Sequence, residues 1–187
     1  MIDRLTLKNS DGKVLFCIES SEDFSCQVIE ANYHKLTEIL IKKGITVTTM
    51  ESCTSGLIAS LITDSEGASI IFKGGFVTYS NEAKILNGVS ESIINDYGVY
   101  SPETAKAMAK ACREFYDTDI GIGVTGTLGN TDPANADSVS GKIFIGISTK
   151  DETIAYNAEI SGLADRLNWK LAVAKAVFLI LERGKLK

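Results

Sequence analysis

The chain has 187 residues, of which 44% are hydrophobic and two are proline, and its formal net charge is −5. This composition excludes a disordered or fibrous protein and supplies enough apolar surface for a real core. The 19 Lys and Arg residues are scattered, which argues against nucleic acid as a main partner. No segment reaches the roughly 18 apolar residues that a membrane span needs, and residues 1–4 begin no signal peptide. We therefore expect a cytoplasmic protein with a single domain over residues 1–187, the first 22 residues being an N-terminal extension.

Histidine and cysteine are too sparse for the common metal and triad chemistries. His34 is the one histidine, which excludes a histidine-rich metal site and argues against a Ser-His-Asp triad. The four cysteines form no CxxC pair, so the spacing does not favour a zinc ribbon or a redox pair. The sequence therefore predicts neither a metal nor a cofactor.

The predicted elements begin with a β-hairpin, because residues 4–8 and 13–19 alternate in polarity around Asp11-Gly12. Apolar residues at helical spacing over 25–43, stopped by Gly44, predict the first long helix. The remaining elements follow in this order: a strand over 45–49, a helix over 57–62, a strand over 70–79 broken at Gly74-Gly75, short helices over 81–86 and 90–97, a helix from Ser101-Pro102 to 116, a strand over 119–125, a long loop over 126–140, strands over 142–148 and 153–160, and a helix over 163–183. This order predicts an α/β fold, a three-layer-like mixed β-sheet covered by helices with the hairpin as an N-terminal addition.

A corner of small polar residues at positions 51–56, Glu-Ser-Cys-Thr-Ser-Gly, joins a predicted strand to a helix. The N–H groups at a helix start carry partial positive charge and suit a phosphate or an oxyanion. A nucleophile at this corner, Ser52 or Cys53, would therefore lie beside its own oxyanion hole. The alternative is that Ser52 or Thr54 only caps the helix and Cys53 is an apolar core residue.

A second cluster follows the next strand and contains Tyr79, Asn81 and Lys84. If Asn81 caps the helix, Lys84 is its third residue, where the helix dipole and burial both favour the neutral amine. A neutral lysine can act as general base toward a serine hydroxyl, and Tyr79 could relay or orient the proton. The alternative is a solvated Lys84 paired with an acid, and a Tyr79 packed in the sheet.

A third group of candidates lies in the loop after a predicted strand and at the start of the last helix. Thr125, Gly126 and Thr127 follow a strand end, where mixed sheets bind ligands. The carboxylates of the turn-rich stretch 132–138 could orient a base or hold a ribose, or could simply cap turns. Arg166, in the first turn of the last helix, could reach a phosphate or form a surface ion pair.

Taken together and in this order, these clusters resemble the C-terminal domain family of the competence/damage-inducible protein CinA, over roughly Glu30 to Leu181. The matching motifs are residues 51–56 against E-S-C-T-G-G, residues 76–84 against V-V-T-Y-S-N-E-A-K, residues 98–105 against G-A-V-S-E-E-T-A, residues 124–126 against V-T-G, and Asp165-Arg166 against the D-R of G-D-R. Several linked motifs make the resemblance far more specific than any one of them.

The resemblance implies a reaction, because catalytic members of that family are nicotinamide-mononucleotide amidases. In these enzymes water replaces ammonia at the carboxamide through an acyl-enzyme, with no metal or cofactor. Carried over to this chain, Ser52 is the nucleophile, Lys84 the base and Tyr79 an assisting group. The implied partners are a small nucleotide substrate and a second copy of the chain in a homo-oligomer. The implied substrate-binding residues are Cys53, Thr54, Ser55, Gly56, Thr125, Gly126, Thr127 and Arg166.

The sequence departs from the family pattern at three places. Ser55 replaces the second glycine of the first motif, the loop over 126–133 replaces G-I-A-G-P-G-G, and the hairpin over 1–19 lies outside the resemblance. These differences keep two alternatives open: a serine amidase acting on another amide, and a nucleotide-binding or regulatory module without turnover.

Overall fold

A seven-stranded mixed β-sheet lies at the centre of the fold, and the computed structural model describes residues 1–19 and 21–184. Short 3₁₀ turns lie at Ser21–Phe24 and Ala68–Ile70. The strands and helices are β1 Ile2–Lys8, β2 Val14–Ile18, α1 Cys26–Lys43, β3 Val47–Glu51, α2 Leu57–Thr63, β4 Phe72–Val77, α3 Asn81–Leu86, α4 Glu91–Tyr97, α5 Pro102–Tyr116, β5 Ile120–Gly126, β6 Lys142–Ser148, β7 Thr153–Gly162 and α6 Arg166–Gly184.

The sheet has the strand order β2-β1-β7-β6-β5-β3-β4. Strand β3 runs parallel to both β4 and β5, and the other neighbouring pairs are antiparallel. The predicted N-terminal hairpin is confirmed, since β1 and β2 pair antiparallel. Because β1 also pairs with β7, the hairpin extends the central sheet by two strands and leaves β2 at its edge.

Helices cover both faces of this sheet, which confirms the predicted mixed α/β architecture. Ile122 and Val124 of β5 belong to a large core with Tyr33 of α1 and the buried face of α6. On the opposite face, Met50 of β3 packs with Met108 of α5 in a separate core. Successive residues of a strand point to opposite sides, so the two cores lie on opposite faces of one sheet.

Helix α5 packs unusually close to the sheet because the strand residues beneath it are glycines. A Cβ added at Gly146 would lie 2.1 Å from the Ala105 carbonyl oxygen, and one at Gly123 would lie 2.3 Å from the same atom. A Cβ at Gly121 would lie 2.1 Å from the Ala109 carbonyl oxygen. The contact is therefore backbone against backbone, and neither side can yield to a larger residue without a shift of the helix.

Strands β3 and β4, which lead to the site, differ from the sequence-based prediction. Strand β4 begins later than predicted and runs unbroken through Gly74 and Gly75. The glycines permit close packing, since a Cβ at Gly75 would lie 2.6 Å from Thr49 Oγ1 and one at Gly74 would lie 2.6 Å from the Tyr116 ring. Strand β3 ends two residues later than predicted, so Glu51 belongs to the strand.

Within residues 1–19 and 21–184, no helix combines the length and the apolar character needed to cross a membrane. Within the same ranges, no three His, Cys, Asp or Glu side chains are grouped so that they could hold a metal ion.

The close packing of α5 predicts the effect of one added methyl group. Gly146→Ala should lower the free energy of unfolding by about 1–3 kcal/mol or more, because its Cβ meets backbone that cannot rotate away. Urea unfolding followed by circular dichroism measures this change. Lys110→Ala, on the exposed side of α5, is the control and should change stability little. Equal stability of Gly146→Ala and the parent protein would show that the helix does not depend on this contact.

Candidate active site

The candidate site lies where three parallel strands end at one edge of the sheet. Ser52 follows β3, Thr78 and Tyr79 follow β4, and β5 ends at Gly126. The carboxyl ends of parallel strands are the usual ligand-binding edge of α/β sheets. The order of the strands thus brings the three sequence clusters together, although about 70 residues of chain separate the first from the third.

Lys84 and Ser52 are in direct contact at this edge. Lys84 Nζ lies 3.1 Å from Ser52 Oγ, and it also donates to the carbonyl oxygens of Thr78 at 3.0 Å and Ser80 at 3.4 Å. Lys84 is 1% exposed and Ser52 is 5% exposed. The predicted alternative of a solvated Lys84 is therefore wrong, because no carboxylate pairs with this amine among the described residues and solvent scarcely reaches it.

Burial lowers the pKa of Lys84 to about 8, because removing the ammonium from water disfavours its charged form. The negative charges of Asp132 and Glu82 act in the opposite direction and raise this pKa. The N-cap of α3 is Ser80, one residue before the predicted cap Asn81. Ser80 Oγ accepts from the Ala83 N–H, and Asn81 is the first helical residue. Lys84 is therefore the fourth residue of the helix rather than the third, and desolvation rather than the helix dipole is the main cause of the shift.

Glu51 stabilises the start of α2 through hydrogen bonds. In the sequence this residue stood out only as part of a motif. Its carboxylate accepts from the N–H groups of Gly56 at 2.9 Å, Ile58 at 3.1 Å and Ala59 at 2.8 Å, and the residue is fully buried. Glu51 therefore occupies these three N–H groups, and contact of a ligand with other N–H groups of the corner over 51–56 stays a prediction. The carboxylate fixes the corner that carries Ser52. An acidic residue at the end of a buried strand was the sequence feature that could have indicated this role.

Cys53 and Ser55, the neighbours of the serine, show two local effects. Burial raises the pKa of Cys53 to about 12, so its thiol is held in the unreactive protonated form. Ser55 has a φ of 53°, in the left-handed region where glycine is favoured. The glycine-to-serine change therefore costs about 1–2 kcal/mol of backbone strain. The exposed Ser55 is not among the residues that line the site cavity.

A cavity of about 250 Å³ opens above Ser52 and Cys53. Arg166 and Tyr79 lie on its wall, and the Arg166 guanidinium donates to the Tyr79 hydroxyl at 3.0 Å and to the Leu128 carbonyl oxygen at 3.3 Å. The Tyr79 hydroxyl thus contacts Arg166, and none of the hydrogen bonds among the described residues joins it to Ser52 or Lys84. The remaining described lining residues are Tyr100, Gly126, Thr127, Leu128, Asn130, Thr131 and Asp132.

The remaining predicted binding residues lie beside the cavity rather than on its wall. Thr125 is fully buried and donates its hydroxyl to the Val99 carbonyl oxygen at 2.9 Å. Thr54 is also fully buried, and its hydroxyl has no hydrogen-bond partner among the described residues. Gly56 donates its N–H to Glu51. Direct contact of these residues with a substrate stays a prediction.

Tyr100 also lines the cavity, although no sequence pattern assigned it a role there. Its hydroxyl donates to Asp132 Oδ2 at 2.6 Å, and its backbone N–H donates to Asp137 Oδ2 at 2.8 Å. Tyr100 therefore ties the long loop over 126–140 to the start of α5. Its partners lie more than thirty residues away in sequence, so no local pattern could have revealed the contact.

The fold and the site define an α/β protein with a buried serine-lysine contact in a cavity at the parallel edge of its sheet. The model of the CinA C-terminal domain family matches residues 29–184, and the chain belongs to that family. The predicted resemblance is thereby confirmed.

Relatives and solved structures agree with this assignment. A relative from Caldicellulosiruptor saccharolyticus, named as a competence-damage inducible protein, is 41% identical over 149 residues, which cover 79% of this chain and 36% of the relative. A CinA-like protein from Syntrophus aciditrophicus is 34% identical over 95% of this chain and 41% of its own length. The chain thus spans less than half the length of these curated relatives.

Two crystal structures show the same fold. The competence/damage inducible protein CihA of Agrobacterium tumefaciens aligns with a TM-score of 0.73 and 27% identity over 82% of this chain and 93% of that chain. A CinA superfamily protein of Escherichia coli aligns with a TM-score of 0.72 and 25% identity over 88% of this chain and 94% of that chain.

The role of Glu51 predicts the outcome of a near-isosteric substitution. Glu51→Gln should lower the free energy of unfolding by about 1–3 kcal/mol, because an amide NH₂ would face N–H donors that now meet a carboxylate oxygen. Denaturant unfolding measures the change. Glu91→Gln, at the exposed first turn of α4, is the matched control and should have little effect. Equal stability of both variants would contradict the assigned role of Glu51.

Proposed function

We propose that the protein is an amidase that hydrolyses the carboxamide of nicotinamide mononucleotide to nicotinic acid mononucleotide and ammonia. The observation that carries the proposal is the 3.1 Å contact between Lys84 Nζ and Ser52 Oγ in a buried setting. Family membership supports the reaction class, since the resemblance implies a serine nucleophile and a lysine base at these positions.

The first half of the reaction needs the neutral form of Lys84. With the amine neutral, the Ser52 hydroxyl donates its proton to Lys84 Nζ while Oγ attacks the carboxamide carbon. The resulting ammonium then gives that proton to the leaving nitrogen, so that ammonia departs and an ester forms on Ser52. Because the pKa of Lys84 is lowered to about 8, the neutral base is present in quantity above that pH and lost below it.

The second half of the reaction uses the same base for water. A water molecule passes a proton to Lys84 Nζ as its oxygen attacks the ester carbon. The proton then returns to Ser52 Oγ, and the product leaves as a carboxylic acid that gives its remaining proton to the solvent. The unreactive state of the Cys53 thiol supports Ser52 as the nucleophile over the alternative that the sequence left open.

The surroundings of Ser52 suggest how the substrate is held. Arg166 on the cavity wall offers a guanidinium to the phosphate, and its bond with Tyr79 fixes its direction. Tyr79 would then assist by positioning Arg166. Since Glu51 occupies N–H groups of α2, we assign the oxyanion contact to the backbone N–H groups of Cys53 and Thr54. Self-association and a cytoplasmic location remain predictions.

The test is ammonia release from nicotinamide mononucleotide by the purified protein. Ser52→Ala should abolish release, and Lys84→Ala should reduce it on the order of 10²-fold or more, because each removes one half of the nucleophile-base pair. Ser92→Ala, an exposed serine on α4, is the control and should retain full activity.

Each other outcome points to a different function. Full release by Ser52→Ala would overturn the serine mechanism. Release from another amide but not from this nucleotide would favour an amidase with a different substrate. Nucleotide binding without any release would favour the binding or regulatory module.

A further inference from the structure

Asp132 places a negative charge on the wall of the cavity that contains Ser52. It lies in the loop over 126–140, at one of the three places where the sequence departs from the family pattern. Its carboxylate accepts from Tyr100 Oη and Asn135 Nδ2, both at 2.6 Å, and from the Ala134 N–H at 2.9 Å. These donors hold the carboxylate in one orientation.

The same contacts favour the ionised form of Asp132. The resulting negative charge acts on Lys84, the proposed base. The hydrogen bond from Tyr100 is the largest cause that lowers the pKa of Asp132, followed by that from Asn135. The negative charge of Asp132 in turn acts to raise the pKa of Lys84, although burial outweighs it. A group bound against Ser52 therefore lies in the electrostatic field of a fixed carboxylate.

The position of the loop does not depend on Asp132 alone. The Asp137 carboxylate accepts from the Tyr100 N–H at 2.8 Å, and Asn135 Oδ1 accepts from Asn81 Nδ2 at 3.1 Å. Thr127 and Ser138 also join the two ends of the loop through their hydroxyls, 3.0 Å apart. Anchoring of the loop is thus shared among several contacts, whereas Asp132 is the acidic side chain among the described residues of the cavity wall.

We propose that Asp132 is a specificity-determining residue that selects amides attached to a positively charged ring. The inference rests on the proposed amidase function and deepens it. The cavity wall carries a cation at Arg166 and an anion at Asp132, which matches a zwitterionic nucleotide with an anionic phosphate and a cationic pyridinium ring. The ring nitrogen lies meta to the carbon that bears the carboxamide, so the positive charge enters the cavity together with the reacting group.

The test compares two ligands that differ in ring charge and, through one added hydrogen, in ring aromaticity, but share every other group. Nicotinamide mononucleotide has a cationic ring, and its reduced dihydropyridine form has an uncharged ring with the same carboxamide, ribose and phosphate. Binding of both is measured by calorimetry to Ser52→Ala, which keeps the ligands intact. The oxidised form should bind more tightly than the reduced form. Introducing Asp132→Asn into the Ser52→Ala protein should weaken binding of the oxidised form about tenfold and should change binding of the reduced form little.

Asp137→Asn is the matched control, because it removes a carboxylate that anchors the same loop but does not line the cavity. This variant should preserve the preference for the charged ring even if it weakens the binding of both ligands. An unchanged preference in Asp132→Asn, or an equal loss for both ligands, would overturn the proposal, since a merely structural residue cannot distinguish ring charge.

The failure of this inference is distinguishable from failure of the proposed function. Charge-selective binding that depends on Asp132, with no ammonia release by the parent protein, would contradict the amidase function and retain the preference for cationic rings. Ammonia release with no charge preference would retain the function and contradict the role of Asp132. Absence of binding by both ligands, together with absence of release, would contradict both.

Discussion

The burial of one amine beside one hydroxyl is the constraint on which the rest of the site depends. Lys84 is 1% exposed, and its Nζ contacts the Ser52 hydroxyl and the carbonyl oxygens of Thr78 and Ser80. An ammonium in this position is costly, because little solvent remains to stabilise it. The same cost makes a neutral amine accessible near physiological pH, which is the property that a lysine base requires. The site thus converts a loss of stability into chemical reactivity.

The architecture of the sheet holds this pair in place from below. Strands β3, β4 and β5 are parallel neighbours, and their carboxyl ends carry Ser52, the approach to α3 and the loop over 126–140. Glu51 fixes the start of α2 from inside the core, so the corner at Ser52 is held by a buried carboxylate as well as by its strand. On one face of the sheet, the backbone of α5 lies in close contact with Gly123 of β5 and Gly146 of β6.

Local signals in the sequence were sufficient for much of the fold. The hairpin turn at Asp11-Gly12, the stop at Gly44 and the Ser101-Pro102 helix start are each short-range features, and all are found in the structure. The sequence predicts a break in β4 at its glycines. The residues that pack against those glycines, Thr49 and Tyr116, are distant in sequence, so no local pattern shows that close packing requires glycine there. The hydrogen bond from Tyr100 to Asp132 likewise joins residues that are distant in sequence, so no local pattern predicts it. The prediction that Lys84 lies beside Ser52 required the family resemblance, because the local pattern alone favoured a solvated lysine.

The most direct test of this account is the titration of Lys84 itself, which needs no substrate. Side-chain NMR of ¹³C-labelled lysine, with Lys84→Arg to assign the resonance, gives the pKa of this amine in the folded protein. We expect a pKa of about 8 for Lys84, lowered by burial, with the neutral amine dominant above that pH. A pKa near 10.5, the ordinary lysine value, would contradict the account, because Lys84 would then be protonated throughout the working range and could not accept the Ser52 proton.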